Sequence, residues 1–243
     1  MVPAGIGGRV EGVHAVAAAV AAGRVTRLHV ESGRGDRGAA GQLVASARSA
    51  GVEIRTVDSI WKLAETDAPQ GLVAEARPIP YAAFDDLLVD GAALIVLDHL
   101  EDPRNVGAIA RSALAAGMTG LVVPRRRAAP ITAVSFKAAA GAFEHLPVAR
   151  VSSVADCAHR AKKAGVWTVG LAAGSPDSLF GLGLLTESVA VFVGAEGLGL
   201  AKLVSDRLDL EVSIPMSEPS ESLNVSVAAA LACFEVRRVR AAE

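Results

Sequence analysis

Ser213-Ile-Pro-Met-Ser-Glu-Pro-Ser-Glu-Ser-Leu-Asn-Val-Ser-Val-Ala228 decides how this chain is read. An extended apolar approach (Leu210, Val212, Ile214) stops at Pro215 and crosses a polar loop. It then enters a small-residue helix expected to carry Ser222 and Asn224 in its first turn. The first N–H groups of a helix lack intrahelical partners, so this corner is expected to bind a polar ligand together with those two side chains. The helix runs on through Ala228-Ala-Ala-Leu-Ala-Cys-Phe234, apolar enough to be packed on most sides.

Working outward, a second strand-to-loop corner, Val189-Ala-Val-Phe-Val-Gly-Ala-Glu-Gly-Leu-Gly199, lies about twenty residues earlier. Its glycines are spaced GxxGxG rather than GxGxxG and fall late in the chain, which argues against a dinucleotide fingerprint. They are read as letting backbone approach a ligand or take positive φ. No GxxxxGK[ST] is present, so a nucleotide triphosphatase has no support. Between Ala92 and Ile214 β-branched runs (94–97, 121–123, 148–151, 166–171, 189–193, 212–214) alternate with helical segments (106–116, 133–140, 154–164). That pattern predicts an α/β domain whose parallel sheet is covered on both faces, with ligands beyond the strand C-termini. Residues 12–76 read as a smaller α/β unit that includes a helix around Trp61, and Pro78 and Pro80 as a linker that cannot extend a ladder. The expected division is 1–78, a linker at 79–90, and 91–243.

The 243 residues are 51% hydrophobic, ample for such cores without staples. Cys157 and Cys233 form no metal or redox motif, and no two of the five histidines have metal-ligand spacing, so no metal is expected. The N-terminus lacks a leader pattern and no apolar run is long enough to span a bilayer, so a cytoplasmic protein without membrane partners is expected. A net charge of −2 conceals a basic centre: residues 104–163 hold ten basic and two acidic side chains, a balance of +8. Arg125-Arg126-Arg127 and Lys162-Lys163 concentrate it, as local patches that track phosphates do.

Asp102-Pro-Arg-Asn-Val-Gly-Ala-Ile-Ala-Arg111, Val193-Gly-Ala-Glu-Gly-Leu-Gly199, and Ile214-Pro-Met with Ser222-Leu-Asn-Val-Ser-Val-Ala resemble, in order and spacing, the three motifs of the SpoU (TrmH-like) branch of the SPOUT RNA 2'-O-methyltransferases. The resemblance covers the whole chain and is nearest to the subgroup acting on guanosines of large-subunit rRNA. It implies a C-terminal SPOUT domain with a deep trefoil knot, which periodicity could not have predicted, preceded by a small ribosomal-protein-like RNA-binding domain. It also implies a homodimer, S-adenosylmethionine as cofactor and RNA as partner.

Carried over by position, Asn105, Arg111, Glu196, Ser222 and Asn224 are the catalytic residues. Gly194, Ile214 and Leu223 hold the cofactor, with Ala172 and Met216 beside them. Arg111 would hold an RNA phosphate. A free guanidinium titrates above about 12, so Arg111 is read as essential more than as the literal base. Two positions depart from the pattern: Glu218 where glycine is usual and Ala139 where serine is common. The rival readings are a tRNA ribose methyltransferase, an antibiotic-resistance rRNA methyltransferase and, from another class, a non-catalytic RNA-binding or ribosome-assembly factor.

Overall fold

The computed structural model describes residues 5–36, 38–217 and 222–242. Two compact units emerge, Met1–Tyr81 with Pro130–His145, and Ala82–Ala129 with Leu146–Glu243.

The first unit is built from β1 (Gly5–Ile6), β2 (Arg9–Glu11), α1 (Val13–Ala21), β3 (Val25–Glu31), α2 (Gly38–Ser49), β4 (Glu53–Val57), β5 (Leu72–Ala76) and β6 (Ile79–Pro80). Its four-stranded sheet has the order β2-β5-β3-β4, parallel only between β3 and β4. Helix α1 buries Ala15, Val16, Ala19 and Val20, one stripe of its surface. The residues around Trp61 form turns, not the expected helix, and Trp61 is exposed. What shapes them is the buried carboxylate of Glu11, which accepts from the Glu65 N–H (2.6 Å), the Thr66 N–H (3.1 Å) and the Thr66 hydroxyl (2.5 Å). A buried charge so satisfied outweighs the weak local helix preference of a short segment. Pro80 does enter a ladder, because β6 pairs antiparallel with β1 and Pro80 lies opposite Gly5. A two-residue strand can accommodate a residue with no N–H where a longer one could not.

The helix over Ala133–Ala139, expected among the crossovers of the parallel sheet, belongs to this first unit. Phe136 is buried against Gly7, where an added Cβ would stand 2.3 Å from the ring, and its ring meets that of Phe143 at 4.8 Å. The Arg24 guanidinium donates to the buried Glu144 carboxylate at 2.7 Å. Gly141 holds φ 98° with Ala18 so close that a side chain there would collide. Ala139 is part of this packed face, so its small side chain has a role in the first unit's core.

The second unit comprises β7 (Ala93–Leu97), α3 (Pro103–Ala116), β8 (Gly120–Pro124), β9 (Val148–Val151), α5 (Val154–Lys163), β10 (Trp167–Leu171), β11 (Val189–Val193), α6 (Lys202–Ser205), β12 (Leu210–Val212) and α7 (Val225–Arg240), α4 being the Ala133–Ala139 helix of the first unit. Six parallel strands lie in the order β12-β10-β11-β7-β8-β9. Every residue of β7 and β11 is buried, as the unbroken apolar runs predict. One face packs on α5 through Leu94, Val96, Ala190 and Phe192, and α3 lies along α7 beyond the other. Asp102-Pro103 sets the start of α3: the Asp102 carboxylate accepts from the Arg104 N–H (2.8 Å) and Pro103 takes the first helical position. Gly117, left-handed at φ 81°, ends that helix. The chain winds outward from β7 through β8 to β9, returns at β10 and inserts β11 beside β7. The β7/β11 boundary is therefore the switch point, where ligands bind in such sheets.

Candidate functional site

At the C-terminal ends of β10, β11 and β12 a pocket of about 360 Å³ opens. Ala172 comes from the end of β10, Gly194 and Glu196 from the loop after β11, and Ile214 and Met216 from the stretch after β12. Ser222 and Leu223 approach from the start of α7. All five residues expected to hold a cofactor thus line one cavity, which Leu171, Val193, Val212 and Val225 make largely apolar. Among the described residues the backbone N–H groups of Ile214 and Leu223 donate to no protein acceptor. Among the described residues Glu196 is the only charged side chain in the lining, and it brings a carboxylate to the rim.

The loop Gly194–Leu200 owes its shape to its glycines, but not in the way the sequence suggests. Ala195 and Gly199 exchange backbone hydrogen bonds (2.8 and 3.1 Å), with Gly197 and Gly199 at φ 77° and 66°. This folds the loop back over Gly194, where a Cβ would lie 2.0 Å from the Gly199 carbonyl carbon and 2.3 Å from the Leu200 nitrogen. Gly194 is required by the chain's own backbone before any ligand is considered.

Asp98, which the sequence reading overlooked, anchors the far side of this loop. Fully buried at the end of β7, it accepts the Ala201 N–H at 2.9 Å, and its other oxygen lies 2.5 Å from His99 Nδ1 without hydrogen-bond alignment. The available signal was a carboxylate closing the apolar run Ala93–Leu97, since a charge so placed must have a partner.

Three of the five expected catalytic residues meet. Asn224 Nδ2 donates to Glu196 Oε1 (2.6 Å) and to Asn105 Oδ1 (3.3 Å), joining all three motifs at the switch point. Asn224 is the N-cap of α7 rather than a residue of its first turn: its Oδ1 accepts from the Ser226 N–H at 2.9 Å. Ser222 precedes the helix and lies on the pocket wall. The Val225 N–H donates to Glu196 at 3.2 Å. Two N–H groups at the start of α7 are therefore engaged by Glu196 and Asn224.

Arg111 stands apart from the trio. Six residues beyond Asn105 on α3, it lies roughly 9 Å further along the axis and about 120° around it. It is exposed and, among the described residues, makes no hydrogen bond or ion pair. Glu218 lies outside the described residues. Among the described residues no cluster of metal-ligating side chains occurs, and no helix is long and apolar enough to cross a membrane.

Comparison with known proteins agrees with this geometry. Residues 92–234 match the family model described as the SpoU rRNA Methylase family, and residues 9–82 the one described as RNA 2'-O ribose methyltransferase substrate binding. A TrmH family tRNA/rRNA methyltransferase of Bacillus subtilis (strain 168) is 37% identical over 212 residues, covering 84% of each chain. A tRNA/rRNA methyltransferase of Mycolicibacterium gilvum (strain PYR-GCK) is 40% identical over 205 residues, 81% of this chain; the match spans only 65% of that protein's length. The crystal structure of the SpoU methyltransferase AviRb from Streptomyces viridochromogenes, in complex with the cofactor AdoMet, has a TM-score of 0.79 at 27% identity, over 97% of this chain and 91% of that one. With both family models matched in chain order and the motif residues gathered at one sheet edge, the chain belongs to the SpoU rRNA methylase family.

Proposed function

We propose that this protein transfers a methyl group from S-adenosylmethionine to a ribose 2'-oxygen of RNA, at a guanosine of large-subunit rRNA. The observation that carries the proposal is the Asn105–Glu196–Asn224 network at the β7/β11 switch point, on the rim of the glycine-floored pocket beside it. The pocket suits the cofactor on three counts. Its apolar walls fit an adenine ring, the N–H groups of Ile214 and Leu223 have no acceptor among the described residues and can meet the purine edge, and the Glu196 carboxylate favours a cation. When bound, S-adenosylmethionine would be held by Gly194, Ile214 and Leu223 and would supply a methyl on a positive sulfonium, the C–S electron pair staying with the departing neutral thioether and the 2'-hydroxyl proton passing to water.

The protein's part is alignment. Asn224, held by Glu196 and Asn105, fixes the rim where the ribose must lie, and Ser222 offers a hydroxyl at the same wall. Arg111, exposed and without a side-chain partner among the described residues, can take the RNA phosphate beside the target. Residues 9–82, which match the substrate-binding family, are read as the part that selects the RNA. The choice of guanosine and the trefoil knot are carried over from the motif resemblance. The test is transfer of labelled methyl from S-adenosylmethionine to purified 23S rRNA and to tRNA, followed by mapping of the modified ribose. One methylated ribose in 23S rRNA is expected, methylation of tRNA alone would move the protein to the rival substrate, and no transfer to either would favour the assembly-factor reading.

The same proposal includes a homodimer. Val227, Ala230, Leu231 and Phe234 form an i, i+3, i+4, i+7 stripe on α7, which with Ala108 and Ser112 of α3 lines an open groove. Val227 and Phe234 are each 47% exposed in the single chain, so this stripe of α7 is not covered by the chain's own sheet. An apolar face of this kind can meet its own copy about a two-fold axis, and Arg111, next to Ser112, would stand at that junction. Phe234→Glu should convert a dimer into a monomer in sedimentation velocity at micromolar concentration. A variant that stays dimeric, or a monomeric wild type with full activity, would contradict this face.

A further inference from the structure

The two concentrations of positive charge that look equivalent in the sequence lie at opposite edges of the parallel sheet. Lys162 and Lys163 end α5, which leads into the start of β10, and line a hollow with His159 and Arg207 at the N-terminal edge. Charge there is partly offset: in the hollow Lys162 pairs with Asp209 at 2.9 Å and Arg207 donates to the Ala155 carbonyl at 3.2 Å, and outside it the cations Arg160 and Lys202 pair with Asp85 and Asp206. Arg125, Arg126 and Arg127 follow β8 directly, so they stand at the C-terminal edge with the pocket. With adjacent strands about 4.8 Å apart, the end of β8 lies roughly 10 Å from that of β11.

All three arginines are exposed, and among the described residues none makes a side-chain hydrogen bond or an ion pair. Their loop is pinned at both ends. The Arg125 N–H donates to the Val151 carbonyl (2.8 Å), and the Ala129 N–H to the carbonyl of Leu100 (2.6 Å), five residues before Asn105. Arg127 is held left-handed at φ 53°, an uncommon conformation for a side-chain-bearing residue. Glu101 and Asp102 are the exposed carboxylates on the adjoining stretch, and Asp102 is engaged in capping α3. Three adjacent unpaired guanidinium groups on a pinned loop repel one another and so cost stability until an anion spaces them.

We propose that Arg125–Arg127 form a phosphate-tracking arm that holds the RNA backbone on the β8 side of the target ribose, whereas the Lys162–Lys163 edge takes no part. The inference rests on RNA being the substrate.

The test compares full-length wild type, the triple Arg125–Arg127→Ala variant and the double Lys162→Ala/Lys163→Ala variant, using 23S rRNA transcript for binding and methyl transfer. The triple variant should bind S-adenosylmethionine normally and keep kcat within about twofold. Its KM for RNA should rise about tenfold or more, and the slope of log affinity against log salt should fall by about 2, as loss of three phosphate contacts to single-stranded RNA requires. The lysine variant should match wild type. Equal RNA affinity and slope in the triple variant would overturn the arm, and an equal loss in the lysine variant would show a net-charge effect and overturn its placement. Polyglutamate competing as well as RNA of equal charge would also overturn it, in favour of an acidic protein partner. If the triple variant does not fold, Arg126→Glu alone is used, with the same KM rise expected. Failure of the underlying substrate reading looks different, since the wild type would then not methylate RNA at all.

Discussion

Arg111→Ala will lower methyl transfer to RNA by about a thousandfold while leaving S-adenosylmethionine affinity within about twofold, the scale of loss seen when a group that holds transition-state charge is removed. The expectation follows from placement. Arg111 is exposed on α3 and, among the described residues, is not part of the pocket lining and bonds to no other side chain, so its removal should disturb neither fold nor cofactor site. Isothermal titration with S-adenosylmethionine and single-turnover transfer to rRNA separate the two effects. A variant that methylates at close to the wild-type rate would remove Arg111 from the catalytic set; one that loses cofactor affinity as well would show that it acts on the pocket. Arg111→Lys should restore little, because a point charge does not reproduce a bidentate grip on phosphate.

Gly194→Val is the second large effect, and the structure changes its meaning. The glycine-rich spacing suggests a side chain that would obstruct the ligand, but the first atom of any side chain meets the Gly199 carbonyl carbon at 2.0 Å. The loop must open, breaking the Ala195–Gly199 pairing that shapes the pocket floor. Cofactor affinity should fall on the order of a hundredfold, equivalent to about 3 kcal/mol of overpacking, and the apo protein should also melt at a lower temperature. An obstructing side chain alone would leave the apo melting temperature unchanged. That result, with cofactor binding lost, would refute the backbone account, and unimpaired binding would remove the loop from the site altogether.

Much of the molecule could be read before any coordinates. The buried parallel sheet was visible because β7 and β11 are apolar at every position, a pattern that half-exposed strands cannot carry. Helix α3 was legible as an apolar-spaced segment, although its expected start near Asn105–Val106 lies two to three residues inside the observed one at Pro103, which Asp102 caps; the convergence of three motifs at the strand C-termini followed from the βαβ alternation. These features are local, or follow from chain winding, and the sequence by itself determined them.

What only the tertiary structure decided concerns partners. Hydrophobic periodicity reports that a face is buried but not against what, so the helix Ala133–Ala139 was legible as a helix while its packing in the first unit, through Phe136 against Gly7 and Glu144 with Arg24, was not. One consequence is practical. A chain started near Ala83 would strand Pro130–His145 without the surface that buries Phe136, so the role of the N-terminal unit is better tested by substitutions in the full chain. The same limit hid the buried carboxylates. Glu11 folds the turns after Trp61, and Asp98 anchors the glycine loop, each through N–H groups distant in sequence. It also concealed that Asn224 caps α7 while binding Glu196 and Asn105, and that equal-looking basic runs face opposite edges of one sheet. Which residues are chemically able to act is written in their side chains. Which of them meet depends on backbone paths separated by tens of residues, and only packing fixes those.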